Sequence, residues 1–264
     1  MSTLAVAPHE AAPKRRLTTV SAKYIVALTG LGLIGFVLAH MAGNLLLFKG
    51  QDAYNAYAKS LEDLGPLLWV ARIGLATIFI LHIALAVGLQ MRNKAARPVG
   101  YQRKQHLTSS PASRTMLLTG LLLLVFTLFH LAHYTLGFVQ QVPKLEYTSG
   151  QAKVVENVVD KSPKMVHIWE IKDSKGRRDA YAMTIHGFRN PLIVLLYVVS
   201  MIVLVLHLYH GGSSMFQTLG INHPRYNPFL GRVGLLLAVL VGIGNISMPL
   251  AVFFGMIGGD VPRV

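Results

Sequence analysis

The sequence predicts an all-α integral membrane protein with five transmembrane helices, and three observations predict it. Of 264 residues, 53% are hydrophobic and only 14% charged, whereas a soluble domain carries about a quarter charged residues. Five apolar stretches each reach the roughly 20 residues that a helix needs to cross a hydrocarbon core of about 30 Å. The net charge of +14 is gathered in the connections between those stretches. That pattern marks membrane orientation rather than nucleic-acid binding. Cysteine is absent, which excludes disulfides, thiolate zinc, protein-ligated iron–sulfur clusters and covalently attached c-type haem within this chain.

The elements follow in order. Residues 1–23 are polar and basic without an apolar core, so they read as a cytoplasmic tail and not as a cleavable signal. Residues 24–139 hold the first three spans, at 24–48, 67–91 and 115–139. Residues 140–190 form a polar external loop, a small cap with strand-like pieces at 154–159 and 165–171. Residues 191–257 hold the last two spans, at 191–210 and 233–257, and 258–264 form a short external tail. Charge orients them. Lys14, Arg15, Arg16 and Lys23 face only Glu10 in the N-terminal tail. Arg92, Lys94, Arg97, Arg103, Lys104 and Arg114 fill the second connection without an acid, and so do Arg225 and Arg232 in the fourth. The first connection sets Lys49 and Lys59 against Asp52, Glu62 and Asp63. The N-terminus is therefore expected in the cytoplasm and the C-terminus outside.

Six of the eleven histidines fall inside the spans: His40, His82, His130, His133, His207 and His210. An ionisable side chain at membrane depth is costly and marks a functional site by default; the plainer reading of a single one is an imidazole bonded to a backbone carbonyl. The pattern speaks against that plainer reading. His40, His82, His130 and His207 each lie about 16 or 17 positions into their own span, and successive helices run in opposite directions. His40 and His130 thus fall in an outer layer, His82 and His207 in an inner one. Two facing imidazoles at one depth are what bis-histidine ligation of an iron porphyrin requires, so the first four helices read as a haem-binding bundle. Thr29-Gly30-Leu31 precedes His40, and Thr119-Gly120-Leu121 precedes His130, each Thr eleven residues before its His. The repeat reads as two copies of one helix design and supports the outer pair. His133 and His210 suit contacts around the ligands or to haem propionates. His9, His106, His167 and His223 read as solvated, and His186 as within reach of an outer propionate.

These residues resemble the cytochrome b membrane anchor of succinate dehydrogenases and fumarate reductases, in its single-chain form with five helices and two b haems. The resemblance rests on Ala22-Lys23-Tyr24, Thr29-Gly30-Leu31, His40-Met41-Ala42-Gly43-Asn44-Leu45 and Ala95-Ala96-Arg97-Pro98-Val99-Gly100-Tyr101. The most specific run is His207-Leu-Tyr-His-Gly-Gly-Ser-Ser-Met-Phe-Gln-Thr-Leu-Gly-Ile-Asn-His-Pro-Arg-Tyr226. It covers nearly the whole chain except the loop at 140–190. The resemblance implies iron ligation by His40, His82, His130 and His207. Some similar fumarate reductases carry a glutamate two positions before the fourth-helix ligand; here that position is Val205, and no Asp or Glu lies in any span.

The resemblance further implies two haem b as cofactors, menaquinone as the membrane substrate, and flavoprotein and iron–sulfur subunits as partners, in a bacterial cytoplasmic membrane. The chain would then be the electron-transfer subunit of an enzyme, without the dicarboxylate site. Nucleic acid is not expected as a partner, lipid is, and association of whole complexes is left open. Lys23 and Arg114 are candidates for the inner haem propionates, Arg72 and Arg189 for the outer. Glu62 is the candidate proton group for a quinone on the outer side. Trp69, Phe36 and Phe129 are candidate walls of a haem or quinone pocket. Two other readings stay open. One is a haem-free anchor whose histidines only join helices. The other is the cytochrome b subunit of a nitrate reductase, formate dehydrogenase or hydrogenase.

Overall fold

The structure, a computed structural model, describes residues 17–97, 99, 109–148 and 151–263. Lys14, Arg15, Arg16, Arg103, Lys104, His9, His106, Glu10, Pro98, Gly100 and Tyr101 lie outside the described residues. Among the described residues, five helices are long and apolar enough to cross a membrane. They are α1 (Thr19–Asn44) with the 3₁₀ turn Leu45–Lys49, α3 (Pro66–Ala95), α5 (Met116–His130) with the π turn Leu131–Thr135, α7 (Pro191–Thr218) and α8 (Asn227–Phe253). Between them lie α2 (Gln51–Glu62), α4 (Pro111–Arg114) and α6 (Ala180–Phe188).

All five spans stand where hydropathy puts them, but their ends differ from the expected ones because caps, not hydropathy, set helix ends. The Thr18 side chain accepts from Ser21 N, so α1 starts five residues before the expected 24. Asn190 accepts from Leu192 N and Ile193 N, fixing the start of α7 beside Pro191. That helix then runs past 210 to Thr218 before Gly220, at φ +92°, breaks it. The third span ends at Thr135 rather than 139, in the π turn.

α1 packs along α3 and α7, and α5 along α7 and, more sparsely, α3. The four helices thus form a ring in the order α1–α3–α5–α7, with α1 diagonal to α5 and α3 diagonal to α7. No residue of α3 is buried. α8 stands outside the ring, against α7 and α1. Gly212 and Gly234 let α7 and α8 approach closely: a Cβ on Gly212 would lie 3.3 Å from the Gly234 Cα, the small-residue contact that membrane helices use in place of a hydrophobic drive. Ala27, Ile34, Leu208, Met215, Ala238 and Val241 seal this seam.

The loop at 140–190 is a folded cap. β1 (Gln141–Pro143) pairs antiparallel with β4 (Met165–His167), and β2 (Leu145–Thr148) with β3 (Gln151–Val154). Of the expected strand pieces, 165–171 is a strand only to His167, and 154–159 only at Val154; the rest is turn and irregular chain with one isolated bridge at Glu156. Val142, Ile168, Ile171, Ile185 and Phe188 build a core continuous with Leu47, Met248 and Val252 of the spans. Polar groups fasten the cap to α2. The fully buried Asp179 caps α6 through Ala182 N and accepts from Gln51 Nε2 at 2.8 Å, Tyr147 Oη at 2.5 Å and Asn55 Nδ2 at 3.0 Å. Asn55, equally buried, accepts from Tyr181 N at 2.9 Å. Arg177 bridges Asp173 and Asp52, both at 2.7 Å. Burial works against the charge of Asp173, but Arg177 and its backbone N–H hold the carboxyl below its usual range. Asp179→Ala would leave buried donors without an acceptor, each costing about 1–3 kcal/mol. Limited proteolysis should then cut the cap while the spans stay intact; an uncut cap would show that the apolar core alone holds it.

Candidate functional site

The four histidines that the sequence places at matched depth come together as two layers on the two diagonals of the ring. His40 of α1 and His130 of α5 face each other at the cap end, ring centroids 5.9 Å apart and ring planes at 90°. His82 of α3 and His207 of α7 form the other layer, His82 beside Thr29 of α1 and His207 beside Thr119 of α5.

The hydrogen-bond partners decide which ring nitrogen is free. Thr29 donates its hydroxyl proton to Ile25 O at 2.7 Å, so its oxygen can only accept from His82 Nδ1, 3.2 Å away. Val26 O, 3.1 Å from the same nitrogen, can likewise only accept. His82 therefore carries its proton on Nδ1, and Nε2 holds the lone pair. Thr119 repeats the arrangement. Its hydroxyl lies 3.1 Å from both Met116 O and His207 Nδ1, so Nδ1 of His207 is engaged and Nε2 is not. Gly30 and Gly120 let the rings lie against the helices: a Cβ there would stand 3.2 Å from His82 Cε1 and 3.4 Å from His207 Cε1.

The Thr-Gly repeat therefore serves the layer opposite to the one it was expected to support. Thr29 and Thr119 sit eleven residues before His40 and His130, but in antiparallel packing that level belongs to His82 and His207. The spacing also measures the site. Eleven residues at 1.5 Å each separate the layers by about 16 Å along α1 and α5 alike.

At the cap end Tyr197 of α7 joins two imidazoles, its hydroxyl 3.1 Å from His130 Nδ1 and 3.0 Å from His133 Nδ1. The hydroxyl has one proton, so at least one ring must donate to it. The π turn presents His133, fully buried, to the same hydroxyl that His130 uses. Phe36 stacks on His40 at 5.3 Å, and Phe129 packs against His133 and Tyr197. Buried polar atoms of His133 (Nε2), Tyr134 (Oη), Gln140 (Nε2) and His186 (Nε2) lack partners among the described residues. The first three crowd around Gly187. His186 lies outside the spans; burial, then the positive charge of Arg189, pushes its imidazole down to about 4.

The other expected residues have the following places. Glu62 pairs with Arg178 at 2.9 Å, and Arg178 lies over Trp169 at 4.2 Å. Arg72 lies over Trp69 at 5.1 Å. Arg189 donates to the carbonyls of Gly258, Val261 and Pro262. Arg114 donates to Ser109 O, and Lys23 is exposed in α1 at the basic end. His210 lines a separate cavity beside Arg232. Tyr197, Tyr134 and Gln140 have no signal of their own in the sequence beyond the rule that a buried tyrosine hydroxyl needs a partner.

Among the described residues no three or more His, Cys, Asp or Glu side chains converge to hold a metal ion by themselves. A macrocycle that brings its own four donors needs only two. The 5.9 Å between the His40 and His130 rings is also the distance from His130 to the rings of Phe126, Tyr134 and Tyr197. Comparison with protein-family models, curated proteins and solved structures finds no match.

Tyr197→Phe strips both Nδ1 atoms of their partner in a buried place, a loss of about 1–3 kcal/mol. The thermal midpoint in detergent should fall, while Tyr209→Phe, at a residue 41% exposed, should leave it unchanged. Equal midpoints for both variants would refute the buried role of Tyr197.

Proposed function

We propose that this chain is the di-haem cytochrome b anchor of a succinate dehydrogenase or fumarate reductase, passing electrons between an iron–sulfur subunit and membrane menaquinone. The observation that carries the reading is the pair of imidazoles on each diagonal, with Nδ1 of His82 and His207 committed to threonine hydroxyls so that Nε2 is left for a metal. Ligating histidines characteristically make such a second hydrogen bond. His40 and His130 would hold the outer haem, His82 and His207 the inner. A bound b haem supplies reversible one-electron exchange at that depth.

The chain's own residues do the rest. Thr29 and Thr119 hold ring orientation in the inner layer, Val26 O sets the tautomer of His82, and Tyr197 holds the ring of His130. Gly30 and Gly120 keep the rings close to the helix backbone. Lys23 and Arg114, at the basic end, are the cations whose positions along the chain suit inner propionates. At the cap end Arg189 is engaged with three carbonyls and Arg72 with Trp69. His133, Tyr134, Gln140 and His186, whose buried atoms lack partners, are the better hosts for an outer propionate. Glu62 is held by Arg178, so we assign it to cap attachment before quinone protonation. His210 belongs with the cavity at the basic end.

The acid-free basic connections support a cytoplasmic N-terminus and an external C-terminus in a bacterial cytoplasmic membrane, with the iron–sulfur and flavoprotein subunits on the basic side. The test is the complex purified with its partners. Dithionite should give a b-type α band, with two haems per chain, and succinate should reduce part of it through a co-purifying flavoprotein. A spectrum without that band would make the chain a haem-free anchor. Reduction through a molybdenum or nickel subunit instead would move it to the nitrate reductase, formate dehydrogenase or hydrogenase class.

A further inference from the structure

A second site lies away from the histidine layers, at the basic end between α7 and α8. A cavity of about 300 Å³ is lined by Ser110, Tyr209, His210, Ser213, Arg232 and Leu235, among others. Its wall has two characters. Tyr209 and Leu235 are 41% and 47% exposed on the outer side of membrane helices, so the mouth opens towards lipid. Arg232, His210 and Ser110 give it cationic and hydrogen-bonding groups at the level where α8 begins. Ser213 donates its proton to Tyr209 O and His210 O and keeps its lone pairs. Ser110 caps α4 by accepting from Ser113 N, so its own proton is free to donate.

The charge around this cavity has one sign. Every described carboxylate lies at the other end, in α2 and the turn after it, in the cap or in the C-terminal tail. Among the described residues Arg232 forms no ion pair. An exposed guanidinium without an ion pair, beside an imidazole and hydroxyls and next to an apolar mouth, selects an anion that carries a hydrophobic tail. A neutral headgroup would leave the arginine unpaired; a free anion would not use the apolar mouth.

We propose that this cavity binds the phosphodiester headgroup of an anionic phospholipid of the leaflet at the basic end, its acyl chains running along Tyr209 and Leu235. Basic pockets between membrane helices on the positive side have the chemistry for such headgroups. The site is independent of any haem and would secure α8 against α7 of the ring.

The test uses the full chain in its native assembly, reconstituted into vesicles of equal phosphatidylcholine and phosphatidylglycerol, re-extracted gently and weighed by native mass spectrometry. One phosphatidylglycerol should remain per chain. Its occupancy should fall about fivefold in Arg232→Gln, the equivalent of roughly 1 kcal/mol for one interfacial cation, and should persist in Arg232→Lys. Arg92→Gln, a cation at the same end that donates to Leu17 O, should retain it fully. Equal retention of both lipids by the unaltered protein, which needs no variant to fold, would overturn the proposal. So would unchanged occupancy in Arg232→Gln. Displacement by millimolar inorganic phosphate alone would make the site one for a free anion, and a co-extracted quinone without phospholipid would make it a quinone site.

Discussion

The hydrogen bond from an imidazole Nδ1 to a threonine hydroxyl is the interaction on which this bundle turns. In hydrocarbon an imidazole has no water to meet its two nitrogens, and each unmet polar group is costly. The threonine meets one nitrogen, and at His82 the carbonyl of Val26, which can only accept, makes that nitrogen the donor. The second nitrogen of His82 is thereby left with the lone pair. Thr29 meets Nδ1 of His82 and Thr119 that of His207, each from the helix antiparallel to it. The diagonal ring then sets His40 against His130 and brings His82 and His207 to one level.

The rest of the architecture supports that geometry. α8 and the glycine contact at Gly212 and Gly234 brace α7 from outside. The cap is anchored through Asp179 and Asn55 to α2 and through Ile185 and Phe188 to the spans. It packs against His133 and Tyr134 at Gly187 and shares its core with Tyr197. The two ends differ accordingly: one is roofed by protein and rich in unpaired polar atoms, the other is basic and opens to lipid.

Much of this is legible in the sequence, for physical reasons. Span location follows from apolar length, and histidine depth from a fixed rise per residue, so those two quantities alone select both pairs. The Thr-Gly repeat is equally visible, yet taken one helix at a time it points to the wrong layer, because a single helix does not show which antiparallel neighbour stands at the same height. α2 is silent in the sequence because Gln51–Glu62 is short and polar, with no hydropathy signal. α6 hides in a loop, since its start depends on Asp179, a cap whose other partners come from residues up to 128 positions away. The strands of the cap rest on pairings that no local pattern announces. Tyr197 reads as packing along its own helix, and only the contact it shares with His130 and His133 shows otherwise.

The pairing of the histidines is the central claim, and a potentiometric titration of the assembled complex tests it most directly. Alanine at His40 and at His130 should each remove the same redox component, and alanine at His82 and at His207 should each remove the other. Alanine at His133 or His210 should leave two components. Loss of one common component in the His40 and His82 variants would contradict the two-layer account.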